Sequence, residues 1–179
     1  AMTLDRDLLR ELLGEGELRE LIDPEVVAAV ELELQYLTER RRVKRADGVH
    51  DMLRDLGPLT VQDLEVRTDG LDIPSVLNEL TGQRRVVEIT HAGIIRWAAV
   101  EDVSRLRDAL GVQPPAGIPH VFLEPVDDPL GDVVGRYART HGPFTAREAA
   151  DALAIPSGIV ETILRQLEAS GRVDVGAFR

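Results

Sequence analysis

The feature that most constrains the fold is a five-residue pattern that occurs twice. Residues 56–60 read LGPLT and residues 141–145 read HGPFT, at an offset of 85. Glycine can take the left-handed conformation that ends a helix, and proline cannot continue one. Each pentapeptide therefore predicts that one helix stops and another starts within a few residues. We expect Gly142 to be left-handed, and Thr145 to cap the next helix in a capping box with Glu148.

Two further anchors keep the order and the near-constant spacing of the pentapeptides. Residues 77–80 align with residues 164–167, and residues 85–86 align with residues 172–173, both at an offset of 87. Three anchors in register, with matching residue types, indicate an internal duplication.

Each copy predicts a winged helix, which is three helices followed by a β-hairpin wing. In the first copy we expect helices over 48–56, 60–67 and 73–80, strands over 84–90 and 94–98 around a turn at 91–93, and a closing helix over 101–110. In the second copy we expect helices over 129–140, 145–153 and 156–170 and one strand over 172–175. The predicted fold class is mainly α with small β-hairpin wings, as tandem winged-helix domains. An unfinished second wing suggests a piece of a larger protein.

An acidic segment precedes the first copy. Residues 1–39 carry eleven acidic and three basic side chains, a net charge of −8, and predict helices over 5–13, 17–22 and 24–42. The last of these has an apolar stripe at Val27, Val30, Leu34 and Leu37.

The two copies are joined by a proline-rich stretch. Five of the ten prolines fall within residues 112–129, around a short apolar run that favours docking over looseness. The predicted domains are an acidic helical lead-in (1–43), a first winged helix (44–111), a docked linker (112–127) and a second winged helix with a truncated wing (128–179).

The composition limits the possible functions. There is no cysteine, so disulfides, cysteine zinc sites and thiol nucleophiles are excluded, which fits a cytoplasmic protein. No apolar run approaches membrane-spanning length. The net charge of −11 repels nucleic acid, so any contact with DNA must use local patches.

The candidate DNA contacts lie on the third helix and the wing of each unit, because winged helices bind DNA with these elements. They are Ser75, Asn78 and Gln83 on the first third helix, Ser157 and Arg165 on the second, Arg84, Arg85 and Arg96 on the first wing, and Arg172 on the second. The alternatives are that the helix faces are solvated or pack on other domains, and that the wing arginines pair with Glu88 or Asp102.

Other notable residues have structural explanations that we favour. The densest basic run consists of Arg40, Arg41, Arg42, Lys44 and Arg45, and we expect it to pair with acidic neighbours. None of the four histidines has metal-ligand spacing, and His141 is expected to bond a free carbonyl at its helix end. Trp97 is expected to be a buried anchor for the closing helix rather than a base-stacking residue.

Several motifs carry a family resemblance. The stretches are RYARTHGPFT at 136–145, WAAVED at 97–102, LRDALG at 106–111, and LGPLT at 56–60 after Ala46-Asp47. Over about residues 18–179 the chain resembles the region C-terminal to the motor in the Lhr (large helicase-related) family of ATP-dependent DNA helicases. This region is also similar to the tandem winged-helix part of AlkZ/YcaQ-like crosslink DNA glycosylases. The resemblance implies a DNA-repair helicase as parent, with ATP-driven 3′-to-5′ translocation on single-stranded DNA.

The catalytic motifs that accompany such activities are absent from these residues. There is no phosphate-binding Gly-x-x-x-x-Gly-Lys-Ser/Thr and no Asp-Glu-x-His box, and no Gln-x-Gln or Gln-x-Asp stands at a convincing site. We therefore expect a non-catalytic accessory module without a cofactor or metal, whose partners are DNA and the other domains of the helicase. The alternatives are a structural or homo-oligomerisation scaffold that makes no DNA contact, and a stand-alone transcription regulator.

Overall fold

The structure is a computed structural model that describes residues 23–174 and residue 176. In chain order its elements are α1 (Pro24–Leu34), α2 (Ala46–Leu56), α3 (Val61–Glu65), α4 (Ile73–Gly82), β1 (Val86–His91), β2 (Ile94–Ala99), α5 (Val103–Leu110), α6 (Pro129–Thr140), α7 (Ala146–Leu153) and α8 (Ser157–Ala169). Short 3-10 turns occupy Val100–Asp102 and His120–Leu123. None of the described helices is both long and apolar enough to cross a lipid bilayer.

The first unit is a winged helix, as the sequence predicts. Helices α2, α3 and α4 enclose one apolar core, and β1 pairs antiparallel with β2 so that Val86 lies opposite Ala99. The hairpin turns at Ala92 and Gly93, which both have positive φ, at 50° and 77°. Positive φ at both central residues gives the hairpin turn whose twist matches that of the flanking strands.

Trp97 ties the wing to the turn that follows α2. Its backbone exchanges two hydrogen bonds with Leu59, at 2.7 and 3.0 Å, and its side chain packs on the core of α2 to α4. The predicted role of Trp97 as an anchor for the closing helix is therefore wrong. Helix α5 packs on the other face of the hairpin, against Val87 and Ile89, because alternate strand residues point to opposite sides.

The two units share the same helix endings. The backbone amide of Arg85 donates to the carbonyl five residues earlier at 2.9 Å, and that of Arg172 does the same at 2.8 Å. The residue before each arginine is left-handed, with φ of 57° at Arg84 and 73° at Gly171. This pattern of a left-handed residue and back-reaching amides closes α4 and α8 alike.

The two units also share the same helix beginnings. Thr60 and Asp63 form a capping box at the start of α3, and Thr145 and Glu148 form one at the start of α7. The predicted box at Thr145 is confirmed. The same caps at offsets of 85 and 87 are what an internal duplication produces.

Four charged side chains, which we call the Asp102 joint, connect the two units. The carboxylate of Asp102, only 4% exposed, accepts hydrogen bonds from Arg105 on α5 at 2.6 Å and from Arg136 on α6 at 2.7 Å. Arg105 also donates to Asp132 on α6 at 2.9 Å. Arg136 lies against Gly57, where a Cβ would come within 2.9 Å of its guanidinium. Glycine at position 57 therefore makes room for the arginine that crosses between the units.

A neutral contact reinforces the joint from the lead-in. Gln35 donates from its side-chain amide to the carbonyl of Thr140, the last residue of α6, at 2.6 Å. Its side-chain oxygen and its backbone carbonyl accept from Arg67, which follows α3, at 3.0 and 2.8 Å. Gln35 therefore connects the lead-in to both units at once.

The predicted long helix of the lead-in is shorter than expected. Helix α1 ends at Leu34, because Tyr36 turns left-handed with φ 59° and buries its ring, and Val43 pairs with Thr68 of the first unit. The predicted apolar stripe is not buried in the described structure, since Val30 is 51% exposed. The helices predicted over 5–13 and 17–22 lie outside the described residues.

Two predictions for the second unit are also wrong. Gly142 is not left-handed, because His141 takes an extended conformation (φ −115°, ψ 154°) that already ends α6. A Cβ at position 142 would lie 2.8 Å from the carboxylate of Glu31, so this glycine permits a close approach instead. Residues 172–174 form no strand, because no described segment pairs with them, and residue 175 lies outside the described part.

The proline-rich segment between the units is docked, as expected. Val112 is buried, and Phe122 and Leu123 pack on the apolar cluster formed by the wing and α5. Arg107 donates to the carbonyl of Leu123 at 2.9 Å. The domain boundaries given above remain our proposal.

We predict that Asp102→Ala destabilises the protein by about 3–5 kcal/mol, because it leaves the buried Arg136 without its carboxylate. Asp108→Ala is the matched control, since it breaks a pair with Arg107 at the surface and is expected to cost less than ~1 kcal/mol. Denaturant unfolding of both variants measures the difference. Equal losses in the two variants would show that the Asp102 joint does not hold the units together.

Candidate nucleic-acid interface

The end of α4 presents two consecutive arginines at the base of the wing. Arg84 has φ 57°, its side chain is exposed, and no described residue hydrogen-bonds or pairs with that side chain. Arg85 instead donates to the carboxylate of Asp47 on α2 and, at 3.1 Å, to Nδ1 of His50. In the second unit Arg172 takes the place of Arg85, and it is exposed without a partner among residues 23–174. Arg84 and Arg172 are thus the wing arginines available to a ligand.

A series of contacts links Arg85 to the Asp102 joint. His50, which is 6% exposed, accepts from Arg85 on Nδ1 and donates from Nε2 to Glu101 at 3.0 Å. Glu101 directly precedes Asp102. The hydrogen bond from Arg85 lowers the pKa of the Asp47 carboxyl below its ordinary value. Intramolecular pairing of Arg85 was one of the two predicted outcomes, but its partners are on α2 rather than on the wing.

The candidates on the third helices are mostly engaged locally. Ser75 and Gln83 bond to acidic side chains at the start and near the end of α4. Arg165 lies 3.7 Å from the glutamate one turn earlier in α8, and both side chains are more than half exposed. Asn78 and Ser157 are exposed, and neither side chain has a partner in the described part of the chain. Neither helix therefore presents a concentrated positive surface.

Arg96 points into the protein rather than toward solvent. It lies on β2 opposite Ile89, on the face of the hairpin that packs against α5. Its Nε atom is buried and has no hydrogen-bond partner, and neither Glu88 nor Asp102 pairs with it. This placement argues against its predicted role as a surface contact to the DNA backbone.

Two concave regions lie between the units. Arg96 lines the inter-unit cavity, with a volume of about 200 Å³, which is bounded by the wing, α5, α6 and the end of α7. A groove of about 800 Å³ lies near the Asp102 joint and is lined by five carboxylates and four guanidinium groups. The mixed charges of that groove do not favour a polyanion.

The basic run of residues 40–45 is partly neutralised within the protein. Arg40 pairs with Glu33 at 2.7 Å, and Lys44 lies 3.7 Å from a carboxylate after α3. Arg41 stacks over the ring of Tyr36, with its central guanidinium carbon 4.3 Å from the ring centroid. Pairing with acidic neighbours, the favoured interpretation, is confirmed for Arg40 and Lys44.

His141 has the structural role that the sequence predicts. Its Nδ1 donates to the carbonyl of Tyr137 at 2.8 Å, and its ring stacks on that of Tyr137 with centroids 3.7 Å apart. Phe144 meets Tyr137 edge-on, which closes a small aromatic cluster at the turn between α6 and α7. Among the described residues no group of three His, Asp or Glu side chains is arranged to hold a metal ion.

Sequence reasoning missed the residues that fix the two units relative to each other. Gln35 was placed inside a continuous helix, and Arg67 and Arg136 carried no motif that marked them. The signal that was available is Gly57, whose φ of 87° and lack of a Cβ admit Arg136. Without a partner structure, that glycine suggested only a helix ending.

Three helices with a paired hairpin, closed by a further helix on its opposite face, define the first unit as a winged-helix domain. Residues 20–125 match the family described as "Large helicase-related protein, winged-helix domain". The chain therefore belongs to the large helicase-related (Lhr) family, as the motif resemblance indicated.

Two curated relatives cover nearly all of the chain. It is 46% identical over 178 residues to a protein of Mycolicibacterium smegmatis named "Lhr helicase/ probable uracil glycosylase", which covers 99% of this chain and 12% of that protein. It is 42% identical over 174 residues to the "Lhr helicase/uracil glycosylase" of Escherichia coli, which covers 96% of this chain and 11% of that protein. The chain thus spans about an eighth or less of the length of these relatives.

The buried phenol beside the basic run gives a pH-dependent prediction. Burial, and then its hydrogen bond to Asp55, raises the pKa of Tyr36 to about 12 from 10.0. Because the folded pKa lies above the unfolded one, Tyr36 contributes stability fully below pH 10, and this contribution is lost as pH rises toward 12. Tyr36→Phe keeps the ring and is expected to flatten the fall in stability over that range, measured by denaturant unfolding.

Phenolate absorbance provides the control, because the chain contains two tyrosines. The wild type is expected to show an ionisation near pH 12 that Tyr36→Phe lacks. An unchanged titration in that variant would contradict the assignment.

Proposed function

We propose that this chain is a non-catalytic accessory module of an Lhr-type, ATP-dependent DNA helicase, and that it positions a nucleic-acid backbone at the base of its first wing. The support is its membership of the Lhr family, the printed names of relatives that contain it, and the winged-helix architecture. In this proposal ATP hydrolysis and any base excision belong to other parts of a cytoplasmic parent protein. DNA and those other parts are the proposed partners.

The observation that carries the proposal is the conformation of Arg84. A left-handed non-glycine residue costs roughly 1–2 kcal/mol, and the second unit places glycine at the equivalent position, Gly171. The Arg84 side chain makes no hydrogen bond or ion pair with the described residues that would offset this cost. A strained residue whose side chain is free points to a role for that side chain outside the fold.

The surroundings of Arg84 suit a phosphate. Arg85 is adjacent, and Arg45 is close enough to lower the pKa of Asp47, although the hydrogen bond from Arg85 is the larger cause. Three arginines therefore accompany one carboxylate at this surface. Such a local excess of positive charge is what a protein with a net charge of −11 needs in order to approach a polyanion.

A structural scaffold that makes no DNA contact is the second candidate. It is favoured by the net charge and by the engagement of Arg85, Gln83 and Ser75 within the protein. In that case the acidic surface would pack on other domains of the helicase or on a second copy of the chain.

We predict that Arg84→Gly weakens DNA binding about tenfold without loss of stability. The change removes one charged contact to phosphate, and glycine accepts φ 57° without strain, so the free energy of unfolding is expected to stay equal or rise by up to ~1 kcal/mol. Fluorescence anisotropy with single-stranded and duplex oligonucleotides over a range of salt concentrations measures affinity. The slope of log K against log salt is expected to fall by about 1.

Arg40→Ala is the charge-matched control, because Arg40 is exposed, already paired with Glu33 and away from the wing. Its affinity for DNA is expected to stay close to that of the wild type. If both variants lose affinity equally, the effect is one of net charge and the interface is elsewhere. If the wild type shows no salt-dependent binding at high micromolar concentration, the scaffold is the correct function.

A further inference from the structure

We propose that the inter-unit cavity binds a phosphate-type oxyanion through Arg96. The cavity lies between the wing of the first unit and helices of the second, so its ligand would contact both units. This site is separate from the proposed nucleic-acid contact, because Arg84 is exposed whereas Arg96 faces the interior.

The other charged groups of the cavity are already satisfied. Arg67 spends its guanidinium on the backbone and side chain of Gln35 and on the carbonyl of Asp63, at 2.8 to 3.0 Å. The Asp63 carboxylate accepts from the amide of Thr60 in the capping box. Arg136 is neutralised by the carboxylate of Asp102, which lies outside the cavity lining.

Arg96 is the exception. Its Nε atom is buried without an acceptor, and no carboxylate within the described ranges lies within 4 Å of its guanidinium. An arginine side chain does not lose its proton in a protein, so the charge persists on burial. A buried donor and charge without a partner are costly, and an anion is the group that would satisfy both.

His91 supports the same view of the local field. Its imidazole lines the cavity near Arg96, and its pKa is lowered by burial first and by the Arg96 guanidinium second. A cation that repels a neighbouring cation in this way is not screened by a nearby carboxylate. The remaining wall is mostly apolar, with Leu106, Leu110 and Val133, so the charge of Arg96 is exposed to a low-dielectric surface.

The size of the cavity limits the ligand. A volume of about 200 Å³ corresponds to roughly seven water molecules in the liquid. That space suits a tetrahedral oxyanion with a few waters and lies below the usual range for pockets that enclose drug-sized ligands. The oxyanion is either free inorganic phosphate or the terminal phosphate of a nucleic-acid strand.

The test follows the Nε–H proton of Arg96 directly by NMR while inorganic phosphate is added to the 179-residue chain. We expect this resonance to shift and saturate, whereas the Nε–H of Arg84 moves little. Sodium chloride at equal ionic strength serves as the control for screening, and it is expected to leave the Arg96 resonance in place. If the Arg96 resonance does not move with phosphate, or moves equally with chloride, the proposal is overturned.

Thermal unfolding gives a second measurement. At phosphate concentrations about ten times the Kd, linkage predicts that the Tm of the wild type rises by roughly 3–6 °C. Arg96→Met keeps a side chain of similar reach but removes the charge, and it is expected to show only the general stabilisation that phosphate gives to any folded protein. Equal rises in both proteins would count against the site, and the NMR titration remains decisive if the variant fails to fold.

The source of the phosphate is separated by oligonucleotides. A 5′-phosphorylated strand that shifts the Arg96 resonance more strongly than its unphosphorylated counterpart identifies a strand terminus as the ligand. A response to inorganic phosphate but to neither strand identifies the free ion. Arg84→Gly is expected to retain the response to inorganic phosphate, so that loss of the Arg84 contact and loss of the cavity site can be told apart.

Discussion

The arrangement of this module depends on one carboxylate that two arginines share. Asp102 begins the helix that closes the first unit, and Arg136 reaches it from the first helix of the second unit. Two charges buried at this depth are stable only as a pair, so neither can be removed without exposing the cost of the other. The second winged helix is therefore held by a contact that has little tolerance for substitution, and Gly57 is the neighbour that leaves room for it.

The duplicated plan has diverged in a consistent direction. Both units keep the capping boxes and the left-handed helix endings, which determine where the chain turns. They differ in what the turns present. The first unit has an arginine where the second has Gly171, and the first follows it with a paired hairpin that has no equivalent among the described residues of the second. Local signals are thus retained where they build the fold, and the exposed positions are free to change.

The local part of the fold could be predicted from the sequence, because caps and turns are determined by neighbouring residues. The pentapeptides gave the helix boundaries, and the Thr145 box followed from them. The direction of a side chain could not be predicted in the same way. Arg85 and Arg96 both read as wing arginines, yet one bonds α2 and the other enters a cavity, since strand alternation and distant helices decide their surroundings. Burial of Tyr36 likewise shortened a helix whose own sequence favoured continuation.

Gln35 has a mechanical consequence for the intact protein. Its amide and carbonyl groups hold Arg67 of the first unit and the end of α6 in the second, at the point where the lead-in reaches both. Any tension that travels along the polypeptide from its N-terminal side must pass this residue. It is then divided between the two winged helices, which move as a single body instead of being pulled one after the other.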